Sequence, residues 1–575
     1  ELQSANVFVF SADQPMQDIQ QVIDAEIAPL SECPAHFSSE RKALLFLPGV
    51  YSDLEIPIGY YCTVHGLGCR PEAVEFRPGR QHKAGPVCHA ADPGGAGALD
   101  TFWRSAENFM TQELLWSVSQ AAPLRSVVVK NKLLLHDQGQ MASGGFMANC
   151  KVLGGVDFGS QQQFMVRNCS FEIAPDPYAG VWSYVYSGCV NVLPKSDCSG
   201  LPRVTIVEET PLIAEKPYLV CESAGATLQI IVPPVERSTV GRWTPDTAPD
   251  DGKKLPPRVV SPTIIKPEMD SDFLEQAVAS GFSILLLPGI YRLTSPLEVK
   301  RSGQVVLGIG MATLIAPPSG PCIHVDAAAR DVRIAGLMLQ AGKTDTYAGS
   351  HLITIGDPSE PRNSGVEQET VTCVLSDVFC RVGGPDTDRK ISVETIMGIY
   401  ASDVLLDNIW LWVADHALLG SVEENGRTVA EQPEPGEKYH LVREGEYTCD
   451  HGLVVGGSHV KAYGLAVEHS RNELVKWLGS KGLCYFYQSE LPYWVPDYDV
   501  VSFHVDQGAS DFDGRGLGVY SCFRDHEVWV RCAMMVPSDA KIENAFTVFL
   551  NFKGGIHSVI QMGRCTHSES VVNFA

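Results

Sequence analysis

Leu465 to Pro496 reads LAVEHSRNELVKWLGSKGLCYFYQSELPYWVP, and its two glutamates, Glu468 and Glu490, stand 22 residues apart with Trp477, Tyr485, Phe486, Tyr487, Tyr493 and Trp494 around them. Short β-favouring runs, broken by glycine and turn residues about every 20 to 30 positions, predict the stacked coils of a parallel β-helix. One coil of such a solenoid takes about that many residues, so equivalent positions on successive coils lie ~4.8 Å apart. The spacing therefore predicts that Glu468 and Glu490 are stacked neighbours. Two carboxyls that close do not both ionise freely, and one is expected to keep its proton near neutral pH. A protonated carboxyl beside aromatic platforms suits cleavage of a glycosidic bond. For either glutamate alone, a solvated strand position is the competing reading.

The same architecture follows from an internal repeat. LLFLPGVY at Leu44–Tyr51 recurs as ILLLPGIY at Ile284–Tyr291. Each copy follows a helix-like segment, Met16–Ile27 or Asp272–Ala279, and precedes a second match, VHGLG at Val64–Gly68 or VLGIG at Val306–Gly310. The G-x-G pairs lack the third glycine and the following helix of a dinucleotide loop and are read as turns. Between the copies, Val232–Met269 is rich in proline and charge, which predicts a linker or a strap along the surface. The expected fold is all-β: an N-terminal β-helix over residues 1–231, a linker over 232–269 and a C-terminal β-helix over 270–575 that carries the acid.

The 575 residues are 45% hydrophobic and 19% charged, enough for a large core. A formal charge of −24 opposes nucleic acid and acidic polysaccharides, and leaves a neutral glycan as the natural partner. The 17 cysteines include no C-x-x-C pair, so zinc ribbons and thioredoxin-type sites have no support, and buried thiol ladders are favoured over a disulfide framework. No run of 18 apolar residues predicts a membrane span. The chain begins at Glu1 without a charged-then-apolar leader, which reads as a trimmed mature form, and the sequon Asn168-Cys169-Ser170 points to secretion. Asp511 and Asp513 are too few for a calcium loop, and His451, His469 and His526 have no partners at zinc spacing, so neither metal nor cofactor is expected. No G-x-S-x-G elbow is present.

Further polar and aromatic groups are candidates for the site. In GSQQQFMVRNCS, Gln161 and Gln163 share one face of a strand. Ser187 follows Gln163 by 24 residues, about one coil, which predicts a second stacked pair able to hold a water or a sugar hydroxyl, or else a structural polar ladder. Trp410 and Trp412 share a face and read as sugar platforms or as core. Tyr184, Tyr493, Trp494 and Asp450 complete the substrate-binding candidates.

The series RKALLFLPGVY, TFWRSAENF, WSVSQAAPLRSV, SGGFMANC, GSQQQFMVRNCS, EKPYLV, SILLLPGIYRL, IWLWVADHA, GLAVEHS and FYQSELPY resembles actinobacterial members of glycoside hydrolase family 55, in order from Asn6 to Ile560. The resemblance implies two tandem right-handed parallel β-helices and hydrolysis of β-1,3-glucan from the non-reducing end with inversion. It assigns Glu490 as general acid, Glu468 as a second carboxylate of the site, and Gln161, Gln163 and Ser187 as the groups that hold the attacking water, one set from each domain. Carboxylates stacked at ~5 Å suit retention, whereas inversion wants ~6.5–9.5 Å; the water is therefore assigned to Gln163 and Ser187, with Glu468 tuning Glu490 or ending the relay. The acidic segment Glu423–Glu446 and the high cysteine content depart from the family pattern. The chain is thus expected to be a secreted, monomeric exo-β-1,3-glucanase. A non-catalytic glycan-binding solenoid is the main alternative, and a polysaccharide lyase is disfavoured by the acidic site.

Overall fold

The computed structural model describes residues 4–573, apart from 82–84, 195–202, 246–255, 343–349, 360–369, 425–426, 552, 563–564 and 568–570. Its short strands stack into parallel β-helices. A nine-stranded sheet runs from Val7–Phe10 to Arg203–Val207 with parallel pairing throughout, and a six-stranded sheet forms a second wall of the same stack. A second stack begins at Thr263–Ile265 and has walls of thirteen and ten strands. Inward positions along each strand are apolar and buried, as in Val404–Val413, where Leu406, Ile409 and Leu411 are core.

The two sequence repeats take the same local form. Helix Met16–Glu26 precedes strand Lys42–Phe46, and helix Ser271–Ala279 precedes strand Ile284–Leu286. Tyr51 donates its hydroxyl to the carbonyls of Phe10 and Leu47 at 2.9 and 2.8 Å, and Tyr291 does the same to Ile265 and Leu287 at 3.0 and 2.7 Å. The repeated segments also pack on each other. Leu45, Leu47 and Leu67 share a buried cluster with Leu285, Leu287 and Leu307, and the Gly310 amide donates to Thr63 Oγ1 at 2.9 Å. Within the segment read as a linker, Val235–Thr239 pairs antiparallel with Thr210–Ala214, and Arg258–Val260 pairs with Gln229–Val232; residues 246–255 lie outside the described residues.

A ladder of bulges sets which side chains the second stack shows to the first. Gly336, Asp377, Asn408, Gly464, Phe486 and Gly516 all have left-handed φ, between 53° and 72°, and the strand register skips each of them. One skipped residue shifts the in–out alternation by one. Asp407 and Trp410 therefore both face the first solenoid, although they are three apart in sequence. At Gly516 a side chain would also have to start 2.2 Å from Val185 Cγ2 of the first solenoid.

Buried charges join the solenoids below the bulge. Arg125 forks onto Asp377 at 2.7 and 2.8 Å and reaches Asp407 at 2.8 Å; Arg167 binds Asp407 at 2.9 Å and Glu215 at 2.7 Å. Lys216 lies 3.0 Å from Glu107 and 3.3 Å from Asp377. Burial raises the carboxyl of Asp407, but Arg125 and Arg167 outweigh it and hold this group below the usual range.

Fifteen cysteines are free thiols among the described residues, and Cys150, Cys169 and Cys189 lie on successive coils. The sequon gives no support for secretion. Asn168 is 2% exposed and its amide donates to Thr239 and Gly241, leaving no room for a glycan. No helix among the described residues is long and apolar enough to cross a membrane.

Candidate active site

Strands Lys461–Glu468 and Leu483–Glu490 pair in parallel so that Glu468 stands opposite Glu490, one strand spacing away. The same column continues through Arg381 and Trp412 on one side and Tyr520 on the other, all facing the first solenoid. Glu490 accepts from Gln488 Nε2 at 3.3 Å and from the Tyr493 hydroxyl. Its side chain keeps 20% exposure, whereas Glu468 is 3% exposed.

These surroundings keep both carboxyls protonated near neutrality. Burial, and after it the negative charge of Asp415, push Glu490 up to about 8, against the Gln488 hydrogen bond. Burial and then the charge of Glu490 hold Glu468 well above the ordinary range. Asp415 is the ionised carboxylate of the group. Burial would raise it, but His416, bonded at 2.9 Å, keeps it low. His416 in turn meets His36 of the first solenoid at 3.1 Å between Nε2 atoms. His469 Nδ1 donates to the Val413 carbonyl at 2.9 Å, so its Nε2, 3.9 Å from Glu490, carries a lone pair; burial keeps this ring neutral.

The first solenoid closes the site with amides. Gln120 Nε2 donates to Glu468 Oε1 at 2.9 Å and to Gln488 Oε1 at 2.8 Å. Gln163 donates to the carbonyls of Tyr487 and Gly516 at 2.8 and 3.3 Å and accepts from Tyr520, the register partner of Glu490, at 2.7 Å. Gln120 was not among the residues singled out from sequence. Its only signal is a lone amide in the apolar run around WSVSQAAP, and its partner lies 348 residues away.

Several expected positions are corrected. Gln163 pairs with Ser183, not Ser187, because the intervening coil is 20 residues long; Ser187 pairs with Arg167 and bonds Thr210 at 2.9 Å. Ser183 Oγ, by contrast, has no hydrogen-bond partner among the described residues. Gln161 turns into the first solenoid and donates to the Val118 and Leu135 carbonyls at 2.9 and 2.8 Å. Tyr184 is also interior, packed 4.6 Å from Phe158, because odd and even strand positions face opposite sides and Gln163 and Ser183 take the outward one. Trp410 and Trp412 are each 2% exposed, wedged with Phe102, Trp103 and Phe37 between the solenoids, so neither offers an open ring face. Asp450 is exposed on the ten-stranded wall and not on the wall that carries the glutamates.

Tyr493 and Trp494 do lie at the site, 4.6 and 5.5 Å from the His469 ring. Trp494 lines a cavity of about 400 Å³ together with Arg524, His526 and, from the acidic segment, Glu434, Leu441 and Glu444. Cys33, Asp92 and Asp100 converge within 4.8 Å elsewhere, but Asp92 pairs with Lys438 and Cys33 with Tyr439.

A family model of the LAM55 pectate lyase-like domain matches residues 263–490, a segment that ends on Glu490. An exo-β-1,3-glucanase of Streptomyces sp. (strain SirexAA-E / ActE) is 30% identical over 99% of this chain and 89% of its own. The structure of sacteLam55A from Streptomyces sp. SirexAA-E superposes with a TM-score of 0.81 at 30% identity, covering 97% of this chain and 95% of that one. A glutamate variant of sacteLam55A in complex with glucose gives the same TM-score at 28% identity.

Proposed function

The chain belongs to glycoside hydrolase family 55 and hydrolyses β-1,3-glucan, and on that premise we propose that it removes glucose from chain ends with inversion, in the cleft between the two solenoids. The observation that carries this reading is Glu490 paired in register with Glu468 and facing the first solenoid, where burial and the charge of Asp415 push its carboxyl up to about 8. Glu490 is the general acid for the glycosidic oxygen. Burial and the charge of Glu490 hold Glu468 well above the ordinary carboxyl range too, so it is neither a nucleophile for retention nor an ionised base. That leaves attack to a water placed from the first solenoid, where the free hydroxyl of Ser183 beside Gln163 takes the part first given to Ser187. Tyr493, half-buried, is the aromatic surface that meets the sugar, and Trp494, 2% exposed, packs against it. A polymeric substrate also supports an enzyme that works outside the cell.

Laminarin digestion followed by proton NMR tests the reading. Glucose as the first product, appearing as the α-anomer before mutarotation, is the expected result. The β-anomer appearing first would overturn inversion, and larger oligosaccharides appearing first would overturn exo action.

A further inference from the structure

A cavity of about 580 Å³ lies between the solenoids, lined by Phe37 and Arg41 from the first and by Ile315, Gln340, Arg381 and Asp386 from the second. It is separate from the glutamates. Arg381 is the register partner of Trp412, which pairs with Glu468, which pairs with Glu490, so Arg381 stands three strands, ~14 Å, from the acid. The Phe37 ring, stacked on Trp412 at 6.4 Å, stands at the boundary.

The charges of this cavity are unbalanced. Arg41 is 1% exposed; its Nε donates to Thr313 at 2.9 Å and its Nη1 to the Ser38 and Glu40 carbonyls at 2.9 and 2.7 Å. Its Nη2 has no hydrogen-bond partner among the described residues. Arg381, also buried, spends its donors on Gln340 at 2.8 and 3.0 Å and on the Tyr61 hydroxyl at 2.9 Å. Both guanidinium groups lie over the Tyr61 ring, at 3.7 and 5.7 Å. Arg292 adds an exposed cation to the lining, and Asp386, the one carboxylate among the described lining residues, is bonded to Gln340 at 2.9 Å. Burial, and the charge of Arg381, pull Arg41 down to about 9. Glu40 is the nearest anion to act on Arg41, and it is turned to Lys42 at 3.1 Å, so among the described residues this buried cation has a free donor and no ion-pair partner, which is costly unless a ligand supplies the anion.

We propose that this cavity binds a sugar acid, its carboxylate on Arg41 Nη2 and its ring against Phe37, Ile315 and Pro385. The volume is that of a small-ligand pocket and exceeds the need of an inorganic anion, and the apolar walls suit a pyranose face. Among the described lining residues three arginines stand against one aspartate, in a chain whose net charge is −24. The site is independent of how the glutamates act.

The experiment is calorimetric titration of the whole chain with methyl β-glucuronide, methyl β-glucoside and inorganic phosphate. Glucuronide affinity is expected to fall about tenfold in Arg41→Gln and in Pro318→Trp, which crowds the exposed rim without removing charge, and to weaken with added salt. Glucoside affinity is expected to be the same in all three proteins. Should Arg41→Gln fail to fold, Pro318→Trp and the salt series decide. Absence of glucuronide binding, binding unchanged in Pro318→Trp, or phosphate bound as tightly as glucuronide with the same dependence on Arg41 would each overturn the proposal.

Discussion

Gln120 of the first solenoid holds Glu468 of the second through an amide–carboxyl hydrogen bond of 2.9 Å, and the same nitrogen reaches Gln488 at 2.8 Å. The carboxyl pair is therefore oriented from across the interface. Replacing Gln120 by leucine strands two buried acceptors, at about 1–3 kcal/mol each. The expected outcome is a fall of about 10–100-fold in kcat with KM little changed, read from laminarin kinetics. A change confined to KM would show that Gln120 touches substrate and does not orient the pair.

Glu490→Gln removes the proton donor and keeps the shape. Laminarin turnover is expected to drop by about 10²–10⁴. An aryl β-glucoside with a good leaving group needs less protonation and should lose much less; equal losses on both substrates would deny Glu490 the role of acid.

The pH profile separates the neighbours of Glu490. Its carboxyl must be protonated to act, so kcat/KM is expected to decline as pH rises through about 8. Asp415→Asn removes the charge that ranks after burial in raising this group, and the alkaline limb should move to lower pH. Glu468→Gln should leave the limb in place, because burial and Asp415, not Glu468, are what raise Glu490. A limb that moves in Glu468→Gln would assign the tuning to Glu468.

Stability against alkali follows with a definite sign. Glu468 has a raised value in the folded state, so above the ordinary glutamate range, ~4.3, the folded protein binds more protons than the unfolded chain and stability declines with pH. Glu468→Gln deletes that decline. Thermal unfolding should find the variant gaining on the parent from pH 5 to pH 9, and parallel curves would contradict the buried neutral carboxyl.

Asp407 has the opposite sign. Its lowered value means stability that is present above the unfolded range and is lost as pH falls below it. Asp407→Asn leaves Arg125 and Arg167 short of an anion, at a cost of about 3–5 kcal/mol near neutrality. The deficit should narrow in acid, which denaturant titrations at two pH values would detect.

The repeat and the 22-residue spacing made the solenoid and the stacked glutamates legible in the sequence, because both depend on local periodicity. Ser187 was misplaced because coil length is not constant: the step from Gln163 to its partner is 20 residues, not 24. Facing direction was the second obstacle. Tyr184 and Gln161 lie beside outward residues in sequence but point inward, and Trp410 and Trp412 face outward only to be covered by Phe102, Trp103 and Phe37. Gln120 and the interface arginines were out of reach, since their partners across the interface lie 240 to 368 residues away and the bulge ladder that aligns them leaves no simple periodic trace.

The contact between Arg125, Arg167 and Asp407 makes the duplicated halves obligate companions. Split from its mate, one half would expose two arginines evolved for burial and the other a pair of stranded aspartates, Asp377 and Asp407. Deleting one copy would not recover an ancestral half-sized enzyme, and chimeras between relatives must exchange these charges as a set.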